Sequence, residues 1–278
     1  CFYEDKNYGY FSSKRDKDIN LYEFEMPDMI FTLRGTVVDA DANATIAEAD
    51  IKLTSPSGHE LEIKSAGDGT FRFNLNKNTD YSVIASKTEY LSAIVDRSTK
   101  GLNKSTEFDV ILELERYGGK QIELPNIEYD FGLTTLRDES KVSLDKLVET
   151  LTINSHITIE LAANTDFRGS DESNQTLSEG RAKSVMDYLI EKGIKEDRLT
   201  SVGNGERIPK KMTTKTKTGR KILAAHKFLK NGDVLTEEFI NALETEEQKE
   251  VCHQLNRRTE FRVLRDDYGI NAVKFGQE

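Results

Sequence analysis

The sequence has few cysteines, methionines and histidines, no tryptophan, and no long apolar run. Two cysteines in 278 residues exclude a disulfide-rich scaffold, and four methionines argue against a methionine-rich binding surface. No apolar run approaches the roughly 18 residues that a membrane-spanning helix needs. The four histidines, and two cysteines without metal-ligand spacing, give no basis for a metal site. We therefore expect a protein without a membrane-spanning helix, a metal ion or a cofactor.

Acidic residues outnumber basic ones. The chain carries 39 Lys+Arg and 49 Asp+Glu, which gives a formal net charge of −10 at pH 7. This balance disfavours general nucleic-acid binding, which depends on basic side chains that neutralise phosphates. The length predicts about two domains, each large enough for its own core.

The chain begins with a cysteine, and two interpretations explain it. Mature lipoproteins begin with a lipid-modified cysteine, whereas a chain cut from a longer protein can begin anywhere. The segment after Cys1 favours the second interpretation, because it resembles the end of a preceding domain. An oxidising compartment would permit a disulfide between Cys1 and Cys252, and the sequence leaves that pairing open.

Residues 1–27 predict a β-hairpin. Two aromatic-rich segments, at 8–11 and 19–24, flank a charged polar turn, which is a typical hairpin pattern. A single hairpin is marginally stable alone, so it must pack on something. The order Tyr-Phe-Ser-Ser-Lys-Arg and then Asp-Ile-Asn-Leu-Tyr resembles a blade of a TolB-like β-propeller. The resemblance implies that residues 1–27 are the remnant of an upstream propeller.

Residues 28–117 predict an all-β sandwich. Short alternating strands recur about every ten residues, which is typical of such a fold. Four segments, at 35–39, 49–53, 67–73 and 81–91, resemble the carboxypeptidase-regulatory-like domain. That family is a small prealbumin-type sandwich, usually a spacer or interaction module. Gly67-Asp68-Gly69 has too few acidic ligands for a calcium loop, so we predict a hairpin turn with positive φ there.

Residues 118–265 predict an α/β (α+β) domain with a mixed sheet and two main helices. Strand-like segments lie at 122–131, 157–163, 199–203 and 258–264. Apolar residues at helical spacing, including Leu144, Leu147 and Leu151, predict a first helix. A second helix is predicted at 177–192, and Gly193 is placed to end it. Residues 266–278 read as a polar, poorly ordered tail.

A carboxylate and a guanidinium are placed to share one cleft in this domain. Asp166 follows the second strand, and Asn174, Leu177 and Arg181 lie on one face of the next helix. Asp166 would accept from an ammonium group and Arg181 would bind a carboxylate, so the pair suits a zwitterionic ligand. From spacing alone, a structural ion pair between Asp166 and Arg181 is favoured.

An ordered series of residues changes that balance. It comprises Ala163-Asn164-Thr165-Asp166-x-x-Gly169, Asn174-x-x-Leu177-Ser178-x-x-Arg181-Ala182, Asp197-Arg198-Leu199, Gly203-x-Gly205-Glu206-x-x-Pro209 and Asn256-Arg257-Arg258-x-Glu260. The series is similar to the C-terminal, peptidoglycan-associating domain of the OmpA family. That family grips the diaminopimelate of the peptidoglycan stem peptide without cutting a bond.

The resemblance implies a set of ligand-binding residues. Asp166 and Arg181 match the family's aspartate and helix arginine, and Arg257 matches its first late arginine. Asp130 matches the aspartate of the early strand, although Gly132 stands where the family has asparagine. The implied set is Asp166, Arg181, Thr165, Asn174, Asp130, Arg257, Asn164 and Leu177, with Asn164 at a position where the family commonly has histidine.

The sequence departs from the family by an insertion at 210–255. Residues 210–230 hold eight Lys/Arg and no acidic residue, whereas 231–250 hold seven acidic residues and one Lys. The simpler interpretation is a folded loop whose two halves neutralise each other, and the sharper one is a partner-binding segment. Residues 235–243 look like a short helix with Thr236 as its N-cap.

The order of the three segments resembles the C-terminal part of PorE-type periplasmic lipoproteins of the type IX secretion system. The resemblance implies a non-catalytic wall anchor in the periplasm, associated with the outer membrane, with peptidoglycan and secretion-system proteins as partners. Two alternatives remain. A cell-wall hydrolase lacks a recognisable catalytic arrangement, and an interaction scaffold with a vestigial pocket finds support in Gly132.

Overall fold

The computed structural model describes residues 2–3, 8–14, 18–25, 27–125, 127, 129 and 133–269. The chain begins with a small antiparallel sheet of three strands: β1 (Phe2–Tyr3), β2 (Tyr8–Lys14) and β3 (Ile19–Glu25). Strands β2 and β3 form the predicted hairpin, with Tyr8 opposite Glu25 and Lys14 opposite Ile19. Its origin in a propeller stays a prediction.

Two four-stranded sheets then form the predicted all-β sandwich. Its strands are β4 (Phe31–Asp39), β5 (Asp50–Thr54), β6 (Glu60–Lys64), β7 (Thr70–Leu75), β8 (Asp80–Ser86), β9 (Tyr90–Leu91), β10 (Ala93–Ser98) and β11 (Thr106–Arg116). The strand orders are β10-β8-β5-β6 and β7-β4-β11-β9, and β4 and β11 run parallel. Alternate residues such as Leu33, Leu53, Val83 and Leu112 point inward and are buried in one core.

The turn at 67–69 differs from the prediction in one respect. Gly69 has the expected positive φ of 78°, and a Cβ there would lie 2.9 Å from the Val37 carbonyl oxygen. Gly67 does not have a positive φ. The turn is not a hairpin, because β6 and β7 belong to opposite sheets. Asp68 accepts hydrogen bonds from the main chain and hydroxyl of Thr70, which accounts for the aspartate.

The C-terminal domain has the predicted mixed sheet and two main helices. Its strands, in the order β12-β15-β13-β14, are β12 (Ile122–Leu124), β13 (Thr158–Ala163), β14 (Leu199–Gly203) and β15 (Thr259–Arg265). Helices α1 (Asp138–Ile153) and α2 (Asp171–Glu191) cover it, and a short 3-10 turn spans Glu196–Arg198. Strands β13 and β14 are parallel, whereas β15 runs antiparallel to both of its neighbours. Strand β12 ends at Leu124 and is shorter than predicted.

The insertion is a folded unit with three helices: α3 (Lys217–Ala225), α4 (Glu237–Asn241) and α5 (Glu246–Asn256). The Thr236 hydroxyl caps α4 as predicted, accepting from the Phe239 main chain at 3.2 Å. A separate small core includes Met212, Leu229, Leu235, Ile240 and Cys252.

The charges of the insertion are not arranged as expected. Among the described residues, no ion pair joins the basic half at 210–230 to the acidic half at 231–250. The basic half pairs elsewhere, with Lys210 on Glu123 of β12 and Lys217 on Glu113 of β11. Contrary to the interpretation of two mutually neutralising halves, the described ion pairs do not join them. Lys210 and Lys217 of the basic half and Glu250 of the acidic half pair with residues outside the insertion.

The sandwich contacts both the C-terminal domain and the insertion. Leu91 of β9 belongs to the core of the C-terminal domain, and Asn154 accepts from the Ser92 main chain at 2.9 Å. The carboxylate of Asp41, between β4 and β5, accepts from the Lys217 main chain at 2.7 Å. The sandwich therefore supplies an acceptor to the first turn of α3.

The first residues of the predicted tail are held in place. Tyr268 donates from its main chain to the His156 carbonyl at 2.8 Å and from its hydroxyl to Asp197 at 2.7 Å. Residues 270–278, like Cys1, lie outside the described residues. Within the described chain, none of the helices combines the length and apolar character that crossing a bilayer requires. Nor do the described residues contain a group of three or more His, Cys, Asp or Glu placed to hold a metal ion.

Candidate functional site

The predicted site lies where parallel strands β13 and β14 end at the same edge of the sheet. Residues Asn164, Thr165 and Asp166 follow β13 directly. The Asn164 main chain donates to the Arg258 carbonyl at 2.9 Å, and the Thr165 main chain donates to the Gly205 carbonyl at 2.9 Å. These bonds fix the loop between the two strand ends, so that its polar side chains have defined positions.

Helix α2 approaches this edge closely. The Ser170 side chain caps the helix by accepting from the Ser173 main chain at 3.2 Å. At Gly203, the last residue of β14, an added Cβ would lie 2.2 Å from the main-chain nitrogen of Glu179. Only glycine permits that contact, which brings the inner face of α2 over the loop at 164–166.

A cavity of about 860 Å³ opens between α2, this loop and the start of β15. Seven of the eight residues implied by the family resemblance line it: Asn164, Thr165, Asp166, Asn174, Leu177, Arg181 and Arg257. The eighth, Asp130, lies outside the described residues, as does Gly132. Residues that are up to 93 positions apart in the sequence, Asn164 and Arg257, thus line the same cavity.

Asp166 is 5% exposed and is held by two arginines. Its Oδ2 accepts from Arg168 Nη2 at 2.8 Å and pairs with Arg257 Nη1, and its Oδ1 accepts from the Arg168 main chain at 3.0 Å. Burial alone would raise the pKa of the Asp166 carboxyl, but the hydrogen bonds from Arg168 and Arg257 outweigh burial and lower it. Asp166 is therefore an anion at neutral pH.

The structural ion pair favoured by spacing alone is absent among the described residues, because Arg181 pairs with no carboxylate there. Arg181 is 7% exposed, donates from Nε to the Leu133 carbonyl at 3.2 Å, and lies 4.6 Å from the centre of the Tyr129 ring. Its pKa is lowered by burial, and the group still carries a full charge at neutral pH. A buried cation that lacks a carboxylate partner among the described residues is suited to a carboxylate that arrives from outside.

The remaining predicted residues differ in how well their polar atoms are satisfied. Asn174 donates to Glu206 at 2.5 Å, and Asn164 accepts from the Asn204 amide at 3.0 Å. Among the described residues, the buried hydroxyl oxygen of Thr165 has no hydrogen-bond partner. A buried hydroxyl without a partner is costly, which is consistent with a contact to a bound ligand.

The cavity also has charged and polar lining residues that were not predicted as site residues, among them Arg168, Glu250 and Gln254. Arg168 lies two positions after Asp166 and binds it, a short-range signal that spacing could have provided. Glu250 and Gln254 come from helix α5 of the insertion and line the same cavity. Glu250 accepts from Arg168 Nη1 at 2.9 Å and Arg257 Nη2 at 2.8 Å. No sequence pattern links a residue of an insertion to a pocket 82 residues earlier.

The cavity is predominantly cationic. Its described lining holds five arginines and two carboxylates: Arg137, Arg168, Arg181, Arg257, Arg258, Asp166 and Glu250. Arg258 is matched by Glu260 of β15 at 2.7 Å, outside the lining. The nearby His253 stays neutral, because burial and the charge of Arg168 lower its pKa. Such a site can bind an anionic or zwitterionic group through bidentate guanidinium contacts.

Comparison with known families and proteins agrees with this architecture. Residues 128–222 match the OmpA family, and residues 32–113 match the carboxypeptidase regulatory-like domain. The chain therefore contains one domain of each family, as the sequence predicted. The OmpA family, which residues 128–222 match, comprises non-catalytic structural proteins.

Two curated relatives are proteins called outer membrane protein A. The Serratia marcescens protein is 27% identical over 204 residues, which covers 64% of this chain and 54% of that protein. The Escherichia coli O157:H7 protein is 40% identical over 89 residues, which covers 30% of this chain and 25% of that protein. The chain thus spans about half of the first relative and a quarter of the second.

Two solved structures show a weaker likeness. The peptidoglycan-associated lipoprotein of Burkholderia pseudomallei is 19% identical, with a TM-score of 0.34, and covers 49% of this chain and 87% of its own. The periplasmic domain of Helicobacter pylori MotB is 11% identical, with a TM-score of 0.35, and covers 70% of this chain and 93% of its own. Neither likeness is close enough to support an argument about function.

Proposed function

We propose that the C-terminal domain binds peptidoglycan without cutting it, through the diaminopimelate residue of the stem peptide. The observation that carries this proposal is Arg181, a buried guanidinium without a carboxylate partner among the described residues, beside Asp166 in one cavity. A match to the OmpA family supports peptidoglycan binding in general. Diaminopimelate carries an ammonium and a carboxylate on one carbon at the end of its side chain, which fits this pair of charges.

In the proposed complex, each charged group of the ligand meets an opposite charge. The ligand carboxylate binds Arg181, and its ammonium binds Asp166 in exchange for an arginine contact. Thr165 supplies its buried hydroxyl, and Leu177 packs against the aliphatic part of the ligand. Each hydrogen bond to a charged group contributes roughly 1.5–3 kcal/mol, so a single site has modest affinity. Many copies on one wall polymer add avidity.

The wider role is also a proposal. We infer that the protein lies in the periplasm, associated with the outer membrane, and tethers a secretion assembly to the cell wall. The order of hairpin, sandwich and OmpA-family domain supports this role through its resemblance to type IX lipoproteins. In that arrangement, the sandwich is the segment that faces protein partners, since the cavity lies in the C-terminal domain.

Co-sedimentation with purified sacculi tests the binding proposal. Wild-type protein is expected to pellet with diaminopimelate-type sacculi, and Arg181→Met is expected to stay in the supernatant. Lys183→Gln is the matched control, because Lys183 lies on the same helix, is exposed, and pairs only with Asp187 among the described residues. Equal retention of wild type and Arg181→Met would refute the proposal.

One observation favours a second candidate function, a scaffold with a vestigial pocket. The Asp166 carboxylate is already engaged by Arg168 and Arg257, so a ligand ammonium must displace one of them. On this alternative the arginines are permanent structural partners of Asp166. Wild-type protein that fails to pellet with sacculi of any chemistry would favour the scaffold.

A further inference from the structure

Four charged side chains form a closed ring at the mouth of the cavity. Arg168 joins Asp166 at 2.8 Å to Glu250 at 2.9 Å, and Arg257 joins the same two carboxylates, with 2.8 Å to Glu250. Positive and negative groups alternate around the ring. The ring links two parts of the chain, because Asp166 and Arg168 follow β13 whereas Glu250 belongs to the insertion.

Glu250 is held in this position by the fold of the insertion. Helix α5 buries Cys252 in the small core of the insertion, and Leu255 packs against that core. Glu250 and Gln254, one helical turn apart, both line the cavity instead. One face of α5 therefore anchors the helix in the core of the insertion, and the opposite face forms one wall of the site.

The ring restricts access to Asp166. Both oxygens of its carboxylate already accept hydrogen bonds, and the side chain is 7% exposed. The side chains of Arg168, Arg257 and Glu250 are 49%, 26% and 55% exposed. A ligand ammonium therefore reaches Asp166 only when a guanidinium swings away, and the exposed outer members of the ring have the room to move.

We propose that Glu250 is a positioning residue of the site, which retains Arg168 and Arg257 when a ligand ammonium takes their place on Asp166. This inference rests on the proposed binding of diaminopimelate. Among the described lining residues, Glu250 is the other carboxylate besides Asp166, so it provides the anion that a displaced guanidinium needs. Without it, a displaced Arg168 would face the other cations of the cavity with no carboxylate partner among the described residues, and a displaced Arg257 would keep only its hydrogen bond to Gln254 at 2.5 Å. Either loss raises the cost of binding.

The proposal couples one protein charge to one ligand charge. Glu250 matters only when the ligand brings an ammonium to Asp166, because only then does a guanidinium leave. A ligand whose side-chain amine is acetylated cannot displace the arginines, so its binding is insensitive to residue 250. A role of Glu250 in holding the cavity wall would affect both ligands alike.

Titration calorimetry on the full chain tests the coupling. The probes are the tripeptide L-alanyl-γ-D-glutamyl-meso-diaminopimelate and the same tripeptide acetylated on its side-chain amine. For Glu250→Gln we expect about tenfold weaker binding of the first probe, the loss expected for one charge-assisted hydrogen bond, and unchanged binding of the second. Glu246→Gln is the control, since Glu246 lies on the same helix and pairs with Lys249 away from the cavity.

The outcomes separate the two proposals. Tight binding of the first probe by wild type and Glu250→Gln alike would overturn the role of Glu250 and leave the proposed function intact. If Glu250→Gln weakened the binding of both probes equally, that result would also overturn it. Such a result would show that Glu250 supports the structure of the cavity wall. No binding of either probe by wild type would overturn the proposed function, and the role of Glu250 with it. In an Arg168→Gln background, the effect of Glu250→Gln is expected to shrink, because the ring is already open.

Discussion

Arg181 and Arg198 are two buried arginines of the C-terminal domain, and a test can separate their roles. We expect Arg198 to stabilise the fold and Arg181 to bind the ligand. Among the described residues, Arg181 donates one side-chain hydrogen bond, to the Leu133 carbonyl, and has no ion pair. Arg198 is equally buried, at 6% exposed, but donates to the carbonyls of Leu151, Asn154 and Ile157 at 2.8–2.9 Å. Substitution of each by methionine, which keeps an apolar stem, should have opposite consequences.

The structure sets the expected magnitudes. Arg181→Met loses one hydrogen bond and a contact with the Tyr129 ring, but also removes a buried charge, so the free energy of unfolding should change by less than about 1 kcal/mol. Arg198→Met removes three hydrogen bonds from a charged donor, and the Asn154 carbonyl then keeps only the Ile157 main-chain donor at 3.3 Å. At roughly 1.5–3 kcal/mol for each bond to a charged group, the expected loss is about 3 kcal/mol or more. At roughly 2–4 °C per kcal/mol, the thermal midpoint should fall by at least about 6 °C in Arg198→Met and by under about 4 °C in Arg181→Met.

Binding should show the reverse order. Arg181→Met should weaken binding of the diaminopimelate tripeptide by about 10- to 150-fold, equivalent to a lost charge-assisted contact of roughly 1.5–3 kcal/mol. Arg198→Met should bind as wild type at a temperature where it is folded. Thermal unfolding followed by circular dichroism and calorimetric titration give the two readouts. Two results would refute a ligand-binding role for Arg181: destabilisation of Arg181→Met as strong as that of Arg198→Met, or binding by Arg181→Met that equals wild type.

Three further predictions concern separate features. Thr165→Val removes a buried hydroxyl without a partner among the described residues, so calorimetry should show weaker ligand binding while the thermal midpoint stays level or rises. The Asp166 pKa is lowered in the folded protein, so its contribution to stability is present above about pH 4 and is lost as the pH falls further; denaturant unfolding should show a steeper acid loss in wild type than in Asp166→Asn. Asp41→Ala removes the acceptor for the Lys217 main chain, so amide hydrogen exchange should accelerate in the first turn of α3 and not in α2. Exchange rates in α3 equal to those of wild type would argue against docking of the sandwich on the insertion.

The architecture could be predicted from the sequence because apolar periodicity reports burial directly. Alternating residues such as those of β7 and β8 face one core, and Leu144, Leu147 and Leu151 form one buried stripe of α1. The short strand β9 could not be predicted as a strand of its own, since two residues carry no periodicity. Its Leu91 nonetheless belongs to the core of the next domain.

The site was predictable only in part. The family motif brought seven lining residues together, whereas spacing alone favoured a direct Asp166–Arg181 pair that the described residues do not form. Arg168 and Arg257 pair with Asp166 instead, and both also pair with Glu250. The insertion illustrates the limit of charge counting, since its segregated charges suggested internal neutralisation. Lys210, Lys217 and Glu250 pair instead with Glu123, Glu113 and the arginines of the cavity. The sequence pattern of the insertion does not reveal these partners.

The central claim is that the cavity beside Asp166 and Arg181 receives the stem peptide. The most direct measurement is a titration of isotope-labelled protein with the diaminopimelate tripeptide, followed by NMR chemical shifts of the main-chain amides. Our account predicts saturable shifts confined to residues 164–181 and 250–258, with those of the sandwich unchanged. Shifts that are absent at ligand excess, or that map to the sandwich, would contradict it.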